Sequence, residues 1–230
     1  MPTSLISTGV QFPDNSIQTT AAGASGGDYV MLAYVSPTTW TKPAGLKAVK
    51  VTVVGAGGNG GSSSATPAGG NSGISGGGGG GGAVILYLDA PAIPGSPITV
   101  TAGPGTNSFG PLASATVGGN GGNGTAGGFN GAGGAGGTGT IPSPAPSGAI
   151  AFTGTPGLGV PIAVPQIAGM GGSSQLFYAQ NMRAAVPSTA GAPNPFYGGG
   201  GAGAGIATPT TTPRAGGAGG PGLVIIEEFY

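Results

Sequence analysis

The apolar positions of this chain fall into short alternating runs that end abruptly in glycine. In Lys47–Val54, Val49, Val51 and Val53 share one face, and Lys50, Thr52 and Val54 the other. That period of two predicts a β-strand. The strand runs directly into Gly55-Ala-Gly-Gly-Asn-Gly-Gly. The junction recurs reversed where Gly76–Gly82 enters Ala83–Leu88, and again where Gly216–Gly222 enters Leu223–Phe229. Further strands are predicted over Tyr29–Val35, Ile98–Thr101 and Ser108–Thr116, separated by Gly- and Pro-rich turns. Trp40, in such a turn, reads as a core anchor rather than a sugar-stacking ring. Antiparallel pairing of the three junction strands would place all three glycine tracts at one end of a sheet. The loops around 62–75 and 206–214, joined by the 138–168 segment, would then share one tip.

Glycine and proline contribute 56 and 22 of the 230 residues. Such a composition usually means collagen or disorder. Collagen needs glycine at every third position, a strict period that runs such as Gly76–Gly82 lack. Disorder usually comes with high net charge. Here five basic residues balance five acidic ones, and clear strands interrupt the glycine. A neutral chain carries no electrostatic footprint for nucleic acid or an anionic membrane. The absence of Cys and His excludes disulfides and argues against zinc, and no cofactor is expected. No apolar run approaches the length of a membrane span, and Met1–Leu5 shows no secretory leader pattern.

Glycine has a physical reason to dominate. A polyproline II backbone has three residues per turn and no internal hydrogen bonds, so its buried amides need partners from neighbouring chains. Side-chain-free backbones approach closely enough to supply them. The ordering cost, ~0.5–1 kcal/mol per glycine relative to alanine, means that a lone tract would not stay ordered. The expected fold is therefore mainly β with polyglycine-II helices: a β-sheet continued by a packed polyglycine-II sandwich, with almost no α-helix. Residues 1–28 are expected to be an N-terminal hairpin and linker, and 29–230 one glycine-rich domain.

Catalytic chemistry finds little support. Gly55–Gly60 fits G-x-G-x-x-G and follows a strand, but no helix can open in Gly61-Ser-Ser-Ser-Ala-Thr-Pro, and the next acid, Asp89, is too distant for a dinucleotide site. The acids are Asp14, Asp28, Asp89, Glu227 and Glu228, none of them in an expected tip loop. Glu227 and Glu228, adjacent on a strand, point to opposite faces and are not placed as a glycosidase pair. The chain is not expected to be an enzyme.

Thr8-Gly-Val-Gln-Phe-Pro-Asp-Asn-Ser-Ile-Gln-Thr-Thr-Ala-Ala predicts a short hairpin with Val10, Phe12 and Ile17 apolar. It resembles an element of phage tail-fibre proteins, I/V-x-F-x-D-G-x-x-Q-T-T-A, with Asn15 replacing the usual Gly. From Tyr34 onward the chain carries W-x-x-P-x-G-x-x-x-V-x-V-x-V-x-G-A-G-G, a G-G-G-G-A strand entry, S-F-G-x-L-x-S-A-T-x-G-G and a closing G-G-x-G-x-V-I-I-E. In that order these segments resemble the glycine-rich domain of bacteriophage tail-fibre adhesins. The resemblance implies packed polyglycine-II helices whose connecting loops bind a host surface receptor. It also implies a virion location exposed to the medium, other fibre or tail proteins as partners, and a homotrimer or a monomeric tip.

Loops on a rigid scaffold usually carry the binding residues. Candidate receptor contacts are Phe129, Asn130, Phe152, Asn194, Phe196 and Tyr197. They suit a host glycan of lipopolysaccharide type or the exposed part of an outer-membrane protein. For each aromatic the competing role is packing between glycine layers. Val10, Phe12 and Ile17 are the candidate attachment or oligomerisation residues. The alternative function is a purely structural virion fibre or decoration protein. A glycine-rich cell-wall protein is a third class, which predicts a signal peptide.

Overall fold

The computed structural model describes residues 4–6, 9–11, 17–18, 29–64, 73–125, 131–143, 145, 148–159, 168–176, 189–206 and 212–230. Fifteen strands follow in chain order: β1 (Ser4–Ile6), β2 (Gly9–Gln11), β3 (Ile17–Gln18), β4 (Tyr29–Tyr34), β5 (Thr38–Trp40), β6 (Ala48–Val54), β7 (Gly73–Ile74), β8 (Ala83–Asp89), β9 (Ile98–Thr101), β10 (Asn107–Phe109), β11 (Ala113–Ala115), β12 (Gly139–Thr140), β13 (Ile150–Phe152), β14 (Gly205–Ile206) and β15 (Leu223–Phe229). The protein is mainly β, and its one helical element among the described residues is a 3-10 turn at Ala90–Ala92.

Two five-stranded antiparallel sheets face each other, ordered β13-β8-β6-β15-β4 and β12-β11-β10-β9-β5. The alternation in the sequence sets the faces. Val49, Val51 and Val53 of β6 turn inward with Val84 and Leu86 of β8 and Val224 and Ile226 of β15, onto Val100, Phe109, Ala113 and Ala115 of the second sheet. Trp40 is 2% exposed and tilts against Phe109 with ring centres 5.5 Å apart. Its indole N–H donates to Glu228 Oε1 at 2.6 Å, so the core role expected for it holds. The segment expected as one strand over Ser108–Thr116 is two, because Gly110 takes φ +50° and turns the chain back. At the N-terminus β2 and β3 form the expected antiparallel pair, with β1 added on the other side of β2.

The three junction strands pair as expected: Val54 lies opposite both Ala83 and Leu223. Their glycine tracts therefore leave the same end of the first sheet. Nine extended tracts stand there among the described residues: 55–64, 75–82, 116–124, 131–138, 154–158, 168–174, 189–194, 198–204 and 214–222. They are held by hydrogen bonds between tracts rather than by strand ladders.

The tract 75–82 is the centre of this array. Gly76, Gly79 and Gly82 donate to Gly122, Gly119 and Thr116; Gly77 and Gly80 to Leu158 and Thr155; Gly78 and Gly81 to Gly201 and Gly198. Its carbonyls work in the same rotation. Gly76, Gly79 and Gly82 accept from Gly61, Gly58 and Gly55; Gly77 and Gly80 from Gly134 and Gly137; Ser75 and Gly78 from Gly169 and Gly172. These bonds measure 2.7–3.2 Å. Each direction of bonding thus returns every third residue, and six tracts surround the central one.

The six also bond to one another and close the ring. Gly118 donates to Ala56, Gly119 to Ala135, Gly154 to Gly137, Thr155 to Ser173, Gly200 to Gly172 and Gly201 to Gly58. A backbone enclosed in this way has no direction free for a side chain. A Cβ built on any residue from Gly76 to Gly82 would overlap the backbone carbonyl group of one neighbour or another. The seven consecutive glycines are the sequence's answer to that enclosure. Outside the ring, 214–222 bonds to 55–64 and 198–204, and 189–194 bonds to 214–222 and 198–204.

Candidate functional site

Direction along each tract decides which residues can share a site. The tracts 55–64, 116–124, 154–158 and 198–204 run away from the sheets. Those at 75–82, 131–138, 168–174 and 214–222 run back toward them. Each outgoing tract is joined to a returning one through 65–72, 126–130, 160–167 or 207–211, which lie outside the described residues; the ninth tract, 189–194, also runs back toward the sheets and begins at the far end with Thr189. The described rim of that end is tied together tightly. Ser63 and Arg214 exchange backbone bonds of 2.9 and 3.0 Å, and Ser64 N–H donates to Gly124. Strands β7 and β14 pair there as Gly73–Ile206 and Ile74–Gly205, which buries Ile74 and Ile206. Ser75 Oγ donates to Gly61 O at 2.6 Å and to Ala204 O at 2.8 Å. The buried Arg214 Nε has no hydrogen-bond partner among the described residues.

The expectation that the loops around 62–75 and 206–214 share one end agrees with this geometry. The 138–168 segment is different. Thr138–Thr140 and Ile150–Phe152 lie at the sheets, where β12 pairs with β11 and β13 with β8. Of its described residues only those next to 160–167 approach the far end, where Leu158 bonds to Gly77 and Met170. The reason is local: Ile150-Ala-Phe supplies an extended edge partner for Ile85-Val-Ala, so the segment is spent on closing a sheet edge.

The candidate contact residues divide accordingly. Phe129 and Asn130 lie outside the described residues, as does Phe12. Phe152 is on β13, half-buried, opposite Ala83. Asn194, Phe196 and Tyr197 lie at the sheet end, in the turn from 189–194 into 198–204. Asn194 is 3% exposed, donating from Nδ2 to Gly200 O at 3.1 Å while its Oδ1 accepts from Phe196 N–H at 3.0 Å. It shapes the turn, which Gly198 completes at φ +72°, packed so closely on Val54 and Ser174 that a Cβ has no room. Phe196 is 42% exposed beside it. The structure thus brings Asn194, Phe196 and Tyr197 together at the sheet end. Val10 and Ile17 sit on adjacent strands β2 and β3.

The acidic pair on β15 points to opposite faces, as alternation requires. Glu227 meets Lys50 Nζ at 2.7 Å and accepts from Tyr29 OH at 3.0 Å on the outer face. That hydrogen bond, chiefly, holds the Tyr29 hydroxyl above its ordinary pKa. Glu228 points inward and accepts from Trp40 and, at 2.8 Å, from Tyr230 OH. Burial first, and the charge of Glu228 second, raise the pKa of Tyr34. These contacts belong to the sandwich core and the sheet surface, away from the glycine array.

A second feature of the array was not anticipated. Its outer tracts carry a non-glycine residue at every third position: Asn59 and Ser62, Asn120 and Asn123, Ala132, Ala135 and Thr138, Ala215 and Ala218. All of these side chains are exposed. Several of them complete the hydrogen bonding of an edge that has no further tract. Asn120 Oδ1 accepts from Asn59 N–H and Asn123 Oδ1 from Ser62 N–H, each at 2.9 Å. Asn59 Oδ1 accepts from Gly219 N–H at 2.9 Å, and Ser62 Oγ from Gly216 N–H at 3.4 Å. On other edges Thr116 Oγ1 accepts from Thr138 N–H, and Thr155 Oγ1 from Ser173 N–H. The spacing was the available signal: glycine pairs interrupted every third residue mark a tract with one face outside. A comparison of the chain with protein-family models and with curated protein sequences finds no match to either.

Proposed function

We propose that this chain is a phage tail-fibre adhesin that binds a host cell-surface receptor through the crossings at the far end of its glycine array. The observation that carries the reading is where the tracts begin and end. Four chain segments start and finish at one end of a cross-braced bundle of backbones that read as packed polyglycine-II helices. Loops held by a rigid framework are the usual seat of recognition. A bundle whose amides are paired with its neighbours' carbonyls holds its loop ends fixed without help from the loops' own sequences. Those loops are then free to vary with the receptor, whether a surface glycan or the exposed part of an outer-membrane protein. The resemblance in ordered motifs to tail-fibre adhesins supports the same reading and, with it, a location on the virion. In this reading residues 1–28 attach the domain to another fibre protein or hold three copies together.

The test is an exchange of 65–72, 126–130, 160–167 and 207–211 for the corresponding segments of a related fibre of different host range. Adsorption should follow the transplanted segments. Adsorption that stays with the framework would leave the domain a structural fibre component.

A further inference from the structure

The outer row of the array, formed by 116–124, 55–64 and 214–222, carries an unusual polar surface. On it lies a shallow groove of about 450 Å³, lined by Asn59, Ser62, Asn120, Asn123 and the backbone of 60, 121, 216 and 218. No Lys, Arg, Asp, Glu or aromatic residue lines it. The groove lies on the side wall and includes none of the candidate contact residues above.

Its hydrogen-bonding capacity can be worked out atom by atom. Four backbone N–H groups along the groove, those of Asn59, Ser62, Gly216 and Gly219, are already bound by side chains. Asn120 and Asn123 serve Asn59 N–H and Ser62 N–H, while Asn59 and Ser62 serve Gly219 N–H and Gly216 N–H. The carboxamide oxygens of all three asparagines are engaged as acceptors. Their Nδ2 groups have no acceptor among the described residues, and all three side chains are exposed. Because the oxygens are fixed by backbone donors, the amino groups are fixed as well, and they need not be ordered when a ligand arrives. Asn120 and Asn123, three residues apart on an extended backbone, are spaced by ~9 Å at about 3.1 Å per residue. That is roughly the length of a disaccharide.

We infer that this wall is a binding site for a neutral, hydroxyl-rich oligosaccharide. The ligand's oxygens accept from the Nδ2 groups of Asn59, Asn120 and Asn123, and its hydroxyls donate to Ser62 Oγ and the free lone pairs of the carboxamides. The lack of charge in the groove selects against anionic sugars and phosphates. The lack of an aromatic face makes each contact weak, as suits a site that engages repeating polymer along the fibre's side. The site is independent of the far-end crossings.

The full chain is presented to an array of neutral oligosaccharides, including gluco-, manno-, galacto- and N-acetylglucosamine oligomers. Binding is then compared with that of the Asn120→Asp/Asn123→Asp variant. Aspartate keeps the carboxyl oxygen that caps Asn59 N–H and Ser62 N–H but removes the amino donors, so melting should stay close to the parent. Asn120→Ser/Asn123→Ser is the neutral control, since Ser62 already shows a hydroxyl capping such an amide. Losing two donor bonds should weaken binding about tenfold or more in both variants. Failure of every neutral oligosaccharide to bind, or binding equal in parent and variants, overturns the inference. Binding that disappears when only the far-end crossings are exchanged also overturns it, while leaving the proposed function intact.

Discussion

At the scale of single residues, position in the array decides what a methyl group does. Gly79 is enclosed on all sides, and a Cβ there would overlap the carbonyl of Ala135. Ala135 itself points outward and is exposed. The same side chain is thus forbidden at one position and ordinary at the other, although both tracts are glycine-rich. Gly79→Ala must push two hydrogen-bonded backbones apart and is expected to destabilise the protein by about 3 kcal/mol, the upper part of the overpacking range. Ala135→Ser should change stability by no more than about 0.5 kcal/mol. Denaturant unfolding of the two variants beside the parent checks both. Asparagine and threonine add the complementary device. They substitute for an absent neighbour at the amides of Asn59, Ser62 and Gly219 and of Thr138 and Ser173, which side-chain oxygens cap.

At the scale of elements, the strands were legible because alternation and glycine boundaries are local signals. β6, β8, β9 and β15 fall within a residue of where the pattern of Val, Ile and Leu puts them. The split between β10 and β11 was not legible, since it depends on Gly110 adopting φ +50° inside an otherwise strand-like run. The position of each turn relative to the array was not legible either. Phe152 and Phe196 look like loop residues in the sequence, but the end of the array they occupy depends on how many times the chain has already crossed it. The spacing of Asn59, Ser62, Asn120 and Asn123 was present in the sequence. It becomes meaningful only once the hydrogen bonds show that a period of three is a period of neighbours.

The sandwich has its own vulnerable point at the meeting of β5 and β15. Glu228 is 4% exposed, and its carboxylate is held by Trp40 Nε1 and the Tyr230 hydroxyl. Removing the indole donor leaves a buried oxygen short of a partner. Trp40→Phe is expected to cost about 1–3 kcal/mol, more than the lost ring area alone implies. The change is read by thermal and denaturant unfolding followed by circular dichroism, because Trp40 is the sole tryptophan. An unfolding free energy equal to the parent's would show that Glu228 does not need the bond.

At the scale of the whole molecule, two cores of different chemistry are joined end to end. The sandwich is stabilised by apolar side chains between two sheets, the ordinary source of β-domain stability. The array has almost no side chains to bury and is held instead by a closed set of backbone hydrogen bonds, which is why its order is cooperative. Removing one tract would strip partners from several others, and no tract has an internal bond to fall back on. The continuous strands β6, β8 and β15 couple the two cores, fixing the start of the array from the sheet and leaving its far end for the crossings.

The claim on which all of this rests is that 75–82 lies at the centre of six tracts and is fully paired with them. Amide hydrogen exchange resolved at Gly76–Gly82 tests it most directly. These glycines should be among the slowest amides in the protein, exchanging only as the domain unfolds globally, in step with β6 and β8. Exchange at the rate of a free glycine peptide would contradict the account.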